Sequence, residues 1–287
     1  ALVGAGGCRH VCSWSWRCVM AEMKERVIKR GKTFSLIVRW ENADLIVRKP
    51  ITAISLAFGA PRLTVAGHGA PAGWRAAVNR VNGMKQINSA SIPPNEDDYH
   101  AVTVIDSNTI EFNEIDPVDD NGKEWPAYTD GGFLQYNAPV DLAGYTARLS
   151  ICDRPAKKGE KTAHLWQAST AYAAGQFIVL ADLETVLVCS VSGTSGSVQP
   201  TSPGVDGSVT WAAATAFSGP KEYWRMTDAD GIAIDNANKT TTITVEASES
   251  ESFSWTVGVW ELEMVSPTNK VTRTLFERVR ISEEVTT

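Results

Sequence analysis

Wherever this sequence holds an apolar rhythm, the period is two residues. Phe34, Leu36, Val38 and Trp40 alternate with Ser35, Ile37 and Arg39, and Tyr145, Ala147, Leu149 and Ile151 alternate with Thr146, Arg148 and Ser150. Ile243, Val245 and Ala247 alternate in the same way with Thr242, Thr244 and Glu246. Successive side chains of a strand point to opposite faces, so each run makes one buried and one solvated face. A helical period is nowhere sustained, and Ala21–Arg30 alone is expected to form a short turn of helix. In "SWTVGVWELEM" the apolar phase slips at Gly258, from Val257 and Val259 to Trp260, Leu262 and Met264, which predicts a β-bulge at the glycine. The terminal "KVTRTLFERVRISEEV" offers two more short strands. Turn residues recur at short intervals, so the fold class is all-β, with sandwiches and small barrels favoured.

Length and charge narrow the rest. A chain of 287 residues is long enough for two or three small domains, each with its own core. The net charge of −6 argues against nucleic acid as a partner, because phosphate binding needs a basic face. No uninterrupted apolar run is long enough for a membrane span. Lys24, Arg26, Lys29, Arg30 and Lys32 form a basic lead-in, whereas Glu96–Asp130 is acidic; the two blocks read as solvated loops or as a charge-complementary docking surface. Cys8, Cys12 and Cys18 crowd the start, and Cys152 and Cys189 lie elsewhere. The odd total argues against a closed disulfide framework, and three cysteines with His10 match no standard zinc-finger spacing, so neither metal nor cofactor is expected. Residues 1–19 lack the basic and apolar regions of a signal peptide and read as an extension ahead of a start at Met20 or Met23.

Two segments rich in glycine, proline and asparagine interrupt the strand pattern. Removing them leaves Thr33–Arg48, Ala138–Asp153 and Tyr223–Thr287 as one continuous antiparallel domain. The expected organisation is an N-terminal arm (1–32), a discontinuous β-sandwich host (33–50, 137–160 and 220–287), and two small inserted β-modules (51–136 and 161–219). Insertion at a loop tip costs only a slowly growing closure entropy.

Three sets of residues carry resemblances. "PVDLAGYTARLSICDR" (Pro139–Arg154), "DGIAIDNANKTTTITVEAS" (Asp230–Ser248) and "WTVGVWELEMVSPTNKVTRTLFERVRISEEVT" (Trp255–Thr286) together resemble a recurrent domain of tailed-bacteriophage virion proteins, akin to the N-terminal domain of baseplate upper proteins. "GHGAPAGWRAAV" (Gly67–Val78), "GMKQIN" (Gly83–Asn88), "VIDSNTIEFNEID" (Val104–Asp116) and "YTDGG" (Tyr128–Gly132) resemble the small FCCH-like β-module, a label that implies no ubiquitin chemistry. "WQASTAYAAGQFIV", "TVLVCSVSGTSGS" and "VDGSVTW" are similar to compact carbohydrate-binding modules of the chitin-binding type. Leu187 stands where an aromatic is usual, one that sugar-binding relatives use as a stacking platform. The resemblances imply a virion structural protein of the tail, neck or fibre-attachment apparatus, assembled in the host cytoplasm. Its implied partners are other virion proteins and copies of itself in a symmetric particle, with host-surface glycan as a further candidate.

The residues themselves point away from catalysis. His10, His68, His100 and His164 sit in unrelated contexts, and no serine or cysteine has the local signature of an activated nucleophile. His68, between Gly67 and Gly69, reads as a turn histidine satisfied by backbone. "TDADGIAID" fails the spacing of a calcium loop and reads as a hairpin turn at Asp230–Gly231. The adjacent pairs Asp97/Asp98 and Asp119/Asp120 cannot form an acid–base dyad by themselves. Of the ten tryptophans, Trp40, Trp255 and Trp260 fall in strands and read as core. Trp166, Tyr172 and Trp211 are the candidate contact residues, either packing the second insert or offering a glycan or protein-interface platform. The expected function is a non-enzymatic structural component, with a glycan-binding adhesion module as the alternative and a surface-polymer hydrolase third.

Overall fold

The computed structural model describes residues 25–119 and 121–283. The cysteine-rich start with His10, the proposed start at Met20, and Asp120 lie outside the described residues. In chain order the strands begin with β1 (Arg26–Lys29), β2 (Phe34–Arg39), β3 (Glu41–Pro50), β4 (Ala53–Ser55), β5 (Arg62–Thr64) and β6 (Arg75–Asn82). After two 3-10 turns come β7 (His100–Ala101), β8 (Thr103–Asp106), β9 (Thr109–Glu111), β10 (Asp130–Pro139) and β11 (Thr146–Cys152). Seven short strands follow: β12 (Ala163–Leu165), β13 (Ala171–Tyr172), β14 (Phe177–Val179), β15 (Val186–Val191), β16 (Gly193–Thr194), β17 (Gly204–Asp206) and β18 (Val209–Ala213). The described chain ends with β19 (Glu222–Thr227), β20 (Ile232–Asp235), β21 (Thr240–Val245), the helix α1 (Ala247–Ser252), β22 (Val257–Val265) and β23 (Val271–Ser282). The fold is all-β, and most pairings are antiparallel.

The chain divides into two compact units. The first holds Arg39–Leu142 and Asp235–Thr240. Its sheets run β3-β10-β6-β7 and β4-β5-β9-β8. Between them lies a core that includes Leu63, Trp74, Val78, Ile110, Phe112, Leu134 and Tyr136. The sequence reading placed residues 41–50 in the host and 51–136 in an insert. Strand β3 instead pairs along β10 from Phe133↔Pro50 to Pro139↔Glu41, so it belongs to this unit, and the expected boundary at 136/137 falls inside β10. A polar seam crosses the same sheet: buried Glu41 accepts from Arg75 Nε at 2.9 Å and from Asn137 Nδ2 at 2.9 Å. His68 is buried, donating from Nε2 to the Asp106 carbonyl at 2.7 Å and accepting the Ala70 N–H at Nδ1 at 3.1 Å. Those two partners hold the ring as its Nε2–H tautomer.

The second unit holds residues 25–38, Ala143–Ile234 and 241–283. A five-stranded sheet, β1-β23-β22-β11-β19, is faced by a three-stranded one, β2-β21-β20. Phe34 of β2 meets Trp260 of β22 across the gap, with ring centroids 5.8 Å apart. Leu149, Ile151, Leu262 and Val279 are buried on one side, and Val38, Ile243 and Val245 on the other. This is sandwich packing, and it follows the two-residue alternation.

Five local expectations are corrected by the structure. Arg26–Lys29 is a strand, not a turn of helix, and it pairs in parallel with β23 from Arg26↔Val279 to Lys29↔Ser282. The adjacent β-branched Val27 and Ile28 favour an extended chain, and Ile28 is fully buried. Gly258 carries no bulge: it pairs in register with Val279, and the register shift lies between Leu262 and Glu263. Gly258, Trp260, Leu262 and Met264 form one inward row in a single phase, and a Cβ at Gly258 would meet Ile151 Cγ2 at 2.7 Å. The glycine is therefore there for close approach. The expected pair of terminal strands is the single strand β23, and the turn after β19 centres on Asp228–Ala229, where Thr227 and Asp230 exchange backbone hydrogen bonds. The third alternating run stops at Val245, because Ala247 opens α1, whose start is closed by Glu246 N–H donating to Glu249 at 2.8 Å.

The second insert leaves and re-enters between β11 and β19, which are hydrogen-bonded neighbours. Its two ends run side by side, with Asp153 N–H donating to the Lys221 carbonyl at 3.0 Å. Inside it, β12-β14-β15-β18-β17 form one small sheet and β13-β16 another. The core of this module is Ile178, Leu180, Leu187, Cys189, Val209 and Trp211.

Candidate functional site

The three aromatic residues singled out from the sequence come together in this module, and they face each other. Trp211 on β18 is 2% exposed. Tyr172 on β13 meets it edge-on, with centroids 5.0 Å apart and planes at 73°. Trp166, just past β12, packs on the same core. One buried carboxylate joins the two indoles: Asp206 Oδ2 accepts from Trp166 Nε1 at 2.9 Å and from Trp211 Nε1 at 3.1 Å, while Oδ1 accepts the Gly196 N–H at 2.7 Å. Tyr172 Oη accepts the Gln167 N–H at 2.9 Å. Burial drives the Tyr172 hydroxyl upward from its ordinary range, against the Gln167 N–H. A buried carboxylate that takes three donors fixes the loop carrying β16 to the strands on either side. Trp211 thus has no free face for a ligand. Leu187 is also in the core, so the missing aromatic bears on packing here and not on a surface platform.

A second carboxylate ties the module to the sandwich. Glu222, the first residue of β19, is 0% exposed. Its Oε1 accepts the Ser150 hydroxyl of β11 at 2.8 Å, and its Oε2 accepts the Leu165 N–H of β12 at 2.8 Å and Arg225 Nε at 3.0 Å, with Arg225 Nη2 also bonded. His164 Nδ1 lies 3.5 Å from Oε2. Burial alone would raise this carboxyl, but the His164 and Arg225 contacts outweigh it and hold it at about 2. Beside it, Cys152 is pushed up to about 12, first by burial and then by the Glu222 charge. That thiol is not poised as a nucleophile.

An open cleft lies at the foot of the module. Its volume is about 540 Å³, and Gly159–Lys161, Phe177 and Ala213–Gly219 line it. Phe177 and Phe217 stand in it 4.9 Å apart between ring centroids, tilted by 39°. Neither ring belongs to the module core, and on β14 the inward position is taken by Ile178, the residue after Phe177. Sequence reading missed this pair: "GQFIVL" and "ATAFSG" lie about forty residues apart and both look like core.

The other buried carboxylates of the sandwich are also committed. Glu263 is bonded by Arg148 and by Arg273 at 2.7 Å, and Glu277 by Arg26 at 2.7 Å. Glu261 is pushed upward by burial, with Arg273 opposing at 3.0 Å. Among the described residues no group of three or more His, Cys, Asp or Glu side chains could hold a metal ion, and no helix is long and apolar enough to cross a membrane. No protein-family model matches the chain, and no curated protein is significantly similar to it.

Proposed function

We propose that the chain is a non-enzymatic structural component of a tailed phage particle, docking on neighbouring virion subunits in the tail, neck or fibre-attachment apparatus. The observation that carries this reading is the Glu222 tie. The inserted module is fastened to the host sheet at both chain ends and through a buried charge that bonds β11, β12 and β19 at once. A module fastened in this way is a rigid projection, not a domain on a tether. Rigid projections repeated around a symmetric particle hold their contact surfaces at fixed spacing, so weak individual contacts add up. The order of the host-like sequence pieces supports the same reading. Mass spectrometry of purified particles tests it: the chain is expected at fixed stoichiometry, and recovery only from the lysate of infected cells would overturn it.

A second reading, a glycan-binding adhesion module, is favoured by one observation, the aromatic cleft at Phe177 and Phe217. A surface-polymer hydrolase has less support, because the buried carboxylates of the sandwich are spent on arginine partners.

A further inference from the structure

The cleft has features that packing alone does not call for. Phe177 and Phe217 form a tilted, partly buried pair at its wall, while the true core of the module lies on the opposite side of β14. Phe217 is brought there by Gly219: a Cβ at that position would overlap the Lys161 carbonyl oxygen and lie 2.8 Å from Phe217 Cζ. The segment Ala213–Ala216 carries only small side chains, which leaves the space in front of the rings empty. Around the rim stand one fixed acceptor and one fixed donor. Glu160 is held by Arg154 Nη1 at 2.7 Å and by the Lys157 N–H at 2.9 Å. Lys161 Nζ donates to the Gly175 carbonyl at 3.0 Å, lies 5.7 Å from the Phe177 centroid, and keeps further N–H donors free. The hydroxyls of Thr215 and Ser218 complete the rim, and both residues are exposed.

We infer that this cleft, and not the Trp166–Tyr172–Trp211 cluster, is a binding site for one unit of a neutral saccharide. The inference rests on the glycan-contact reading of the module. A pyranose ring has an apolar C–H face and an equatorial belt of hydroxyls, so it needs an aromatic wall with donors and acceptors at the edge. Phe177 and Phe217 supply the wall, and Glu160, Lys161, Thr215 and Ser218 supply the edge. Glu160 is paired with Arg154, and what points to a neutral ligand is the aromatic wall flanked by the uncharged hydroxyls of Thr215 and Ser218. A volume of about 540 Å³ lies inside the range of small-molecule sites and suits a mono- or disaccharide. The tryptophan cluster has the opposite character: its indole N–H groups are consumed by Asp206, and Trp211 is closed off from solvent.

The test uses the full chain on a printed array of neutral and anionic glycans, followed by titration calorimetry with the soluble form of the best-bound neutral oligosaccharide. Phe177→Ala and Phe217→Ala are each expected to weaken binding roughly tenfold or more. Phe217→Tyr keeps the ring and is expected to bind near wild type, and Trp166→Phe, which keeps an aromatic ring in the module but loses the donor to Asp206, is expected to retain affinity. Circular dichroism melts of each variant separate lost binding from lost folding. Binding lost in Trp166→Phe but kept in Phe217→Ala would overturn the site while leaving the glycan reading standing. Binding confined to anionic glycans and abolished by salt would overturn the neutral class. No bound glycan at all would overturn both, while particle stoichiometry judges the structural reading independently.

Discussion

Replacing Glu222 with glutamine isolates the charge that fastens the inserted module. The side-chain shape is conserved: an amide oxygen in the Oε2 position still accepts the Leu165 N–H, and the amide nitrogen can donate to Ser150, whose hydroxyl turns to accept. What disappears is the negative charge facing Arg225 and His164. The size of the effect follows from linkage. The carboxyl sits at about 2 in the folded chain against 4.5 for the unperturbed group, and 2.5 units correspond to about 3 kcal/mol of stability at neutral pH. Because the folded value is the depressed one, this contribution is present above the unfolded value and is lost as pH falls from about 4.5 towards 2. Glu222→Gln is therefore expected to destabilise the second unit by about 2–3 kcal/mol at pH 7, a little less than the linkage figure because Arg225 is partly solvated when left alone. The gap between wild type and variant should narrow by about 2 kcal/mol between pH 7 and pH 3. Urea denaturation followed by tryptophan fluorescence at the two pH values measures both quantities, and hydrogen exchange at the Leu165 amide reports the tie directly. Equal stability of the two proteins at pH 7, or a gap that does not shrink in acid, would refute the assignment.

Three further outcomes are expected. Asp206→Asn sets an amide donor against either the two indole N–H groups or the Gly196 N–H, and should cost about 2–3 kcal/mol, read as a lower urea midpoint with red-shifted tryptophan emission. Gly258→Ala drives a methyl to 2.7 Å from Ile151 Cγ2 and 3.1 Å from the Cys152 carbonyl, for a loss of about 1–3 kcal/mol; an unchanged melting temperature would show that the strands give way. With its thiol at about 12, Cys152 holds roughly one thiolate in ten thousand at pH 8, so iodoacetamide should leave it unmodified in the native protein and label it in urea, as site-resolved mass spectrometry can verify.

Much of the fold was legible because its strands are half-buried. In β2 and β11 the apolar residues occupy alternate positions, and burial follows them residue by residue from Phe34 to Trp40 and from Ala147 to Ile151. Gly258 was misread for a definite reason. A glycine holds an inward position that an apolar side chain normally marks, so Val257 and Val259, on the outer face, looked like the core row. β1 was misread because four residues carry too little pattern, and its partner lies at the far end of the chain. The aromatic cluster was legible as a group but not in its orientation, since Trp166 and Trp211 look alike as platform or as core until Asp206 is seen between them. The cleft was hidden for a related reason. Nothing local in "GQFIVL" says that Phe177 faces outward, and the empty space beside it is made by alanines that attract no notice.

The parallel pairing of β1 with β23 sets a timetable for synthesis. The two strands are separated by about 250 residues, so the five-stranded sheet cannot be completed until Val279–Ser282 has left the ribosome. All of the first unit except Asp235–Thr240 is available once Leu142 has emerged. At about 5–20 residues per second the first unit leads by roughly ten seconds, during which β11 waits without β22 and β19 at its edges. The newborn chain thus carries an open sheet for longer than a chain with local pairings would, and crowding of nascent copies during that interval is where edge-to-edge mispairing would be seeded.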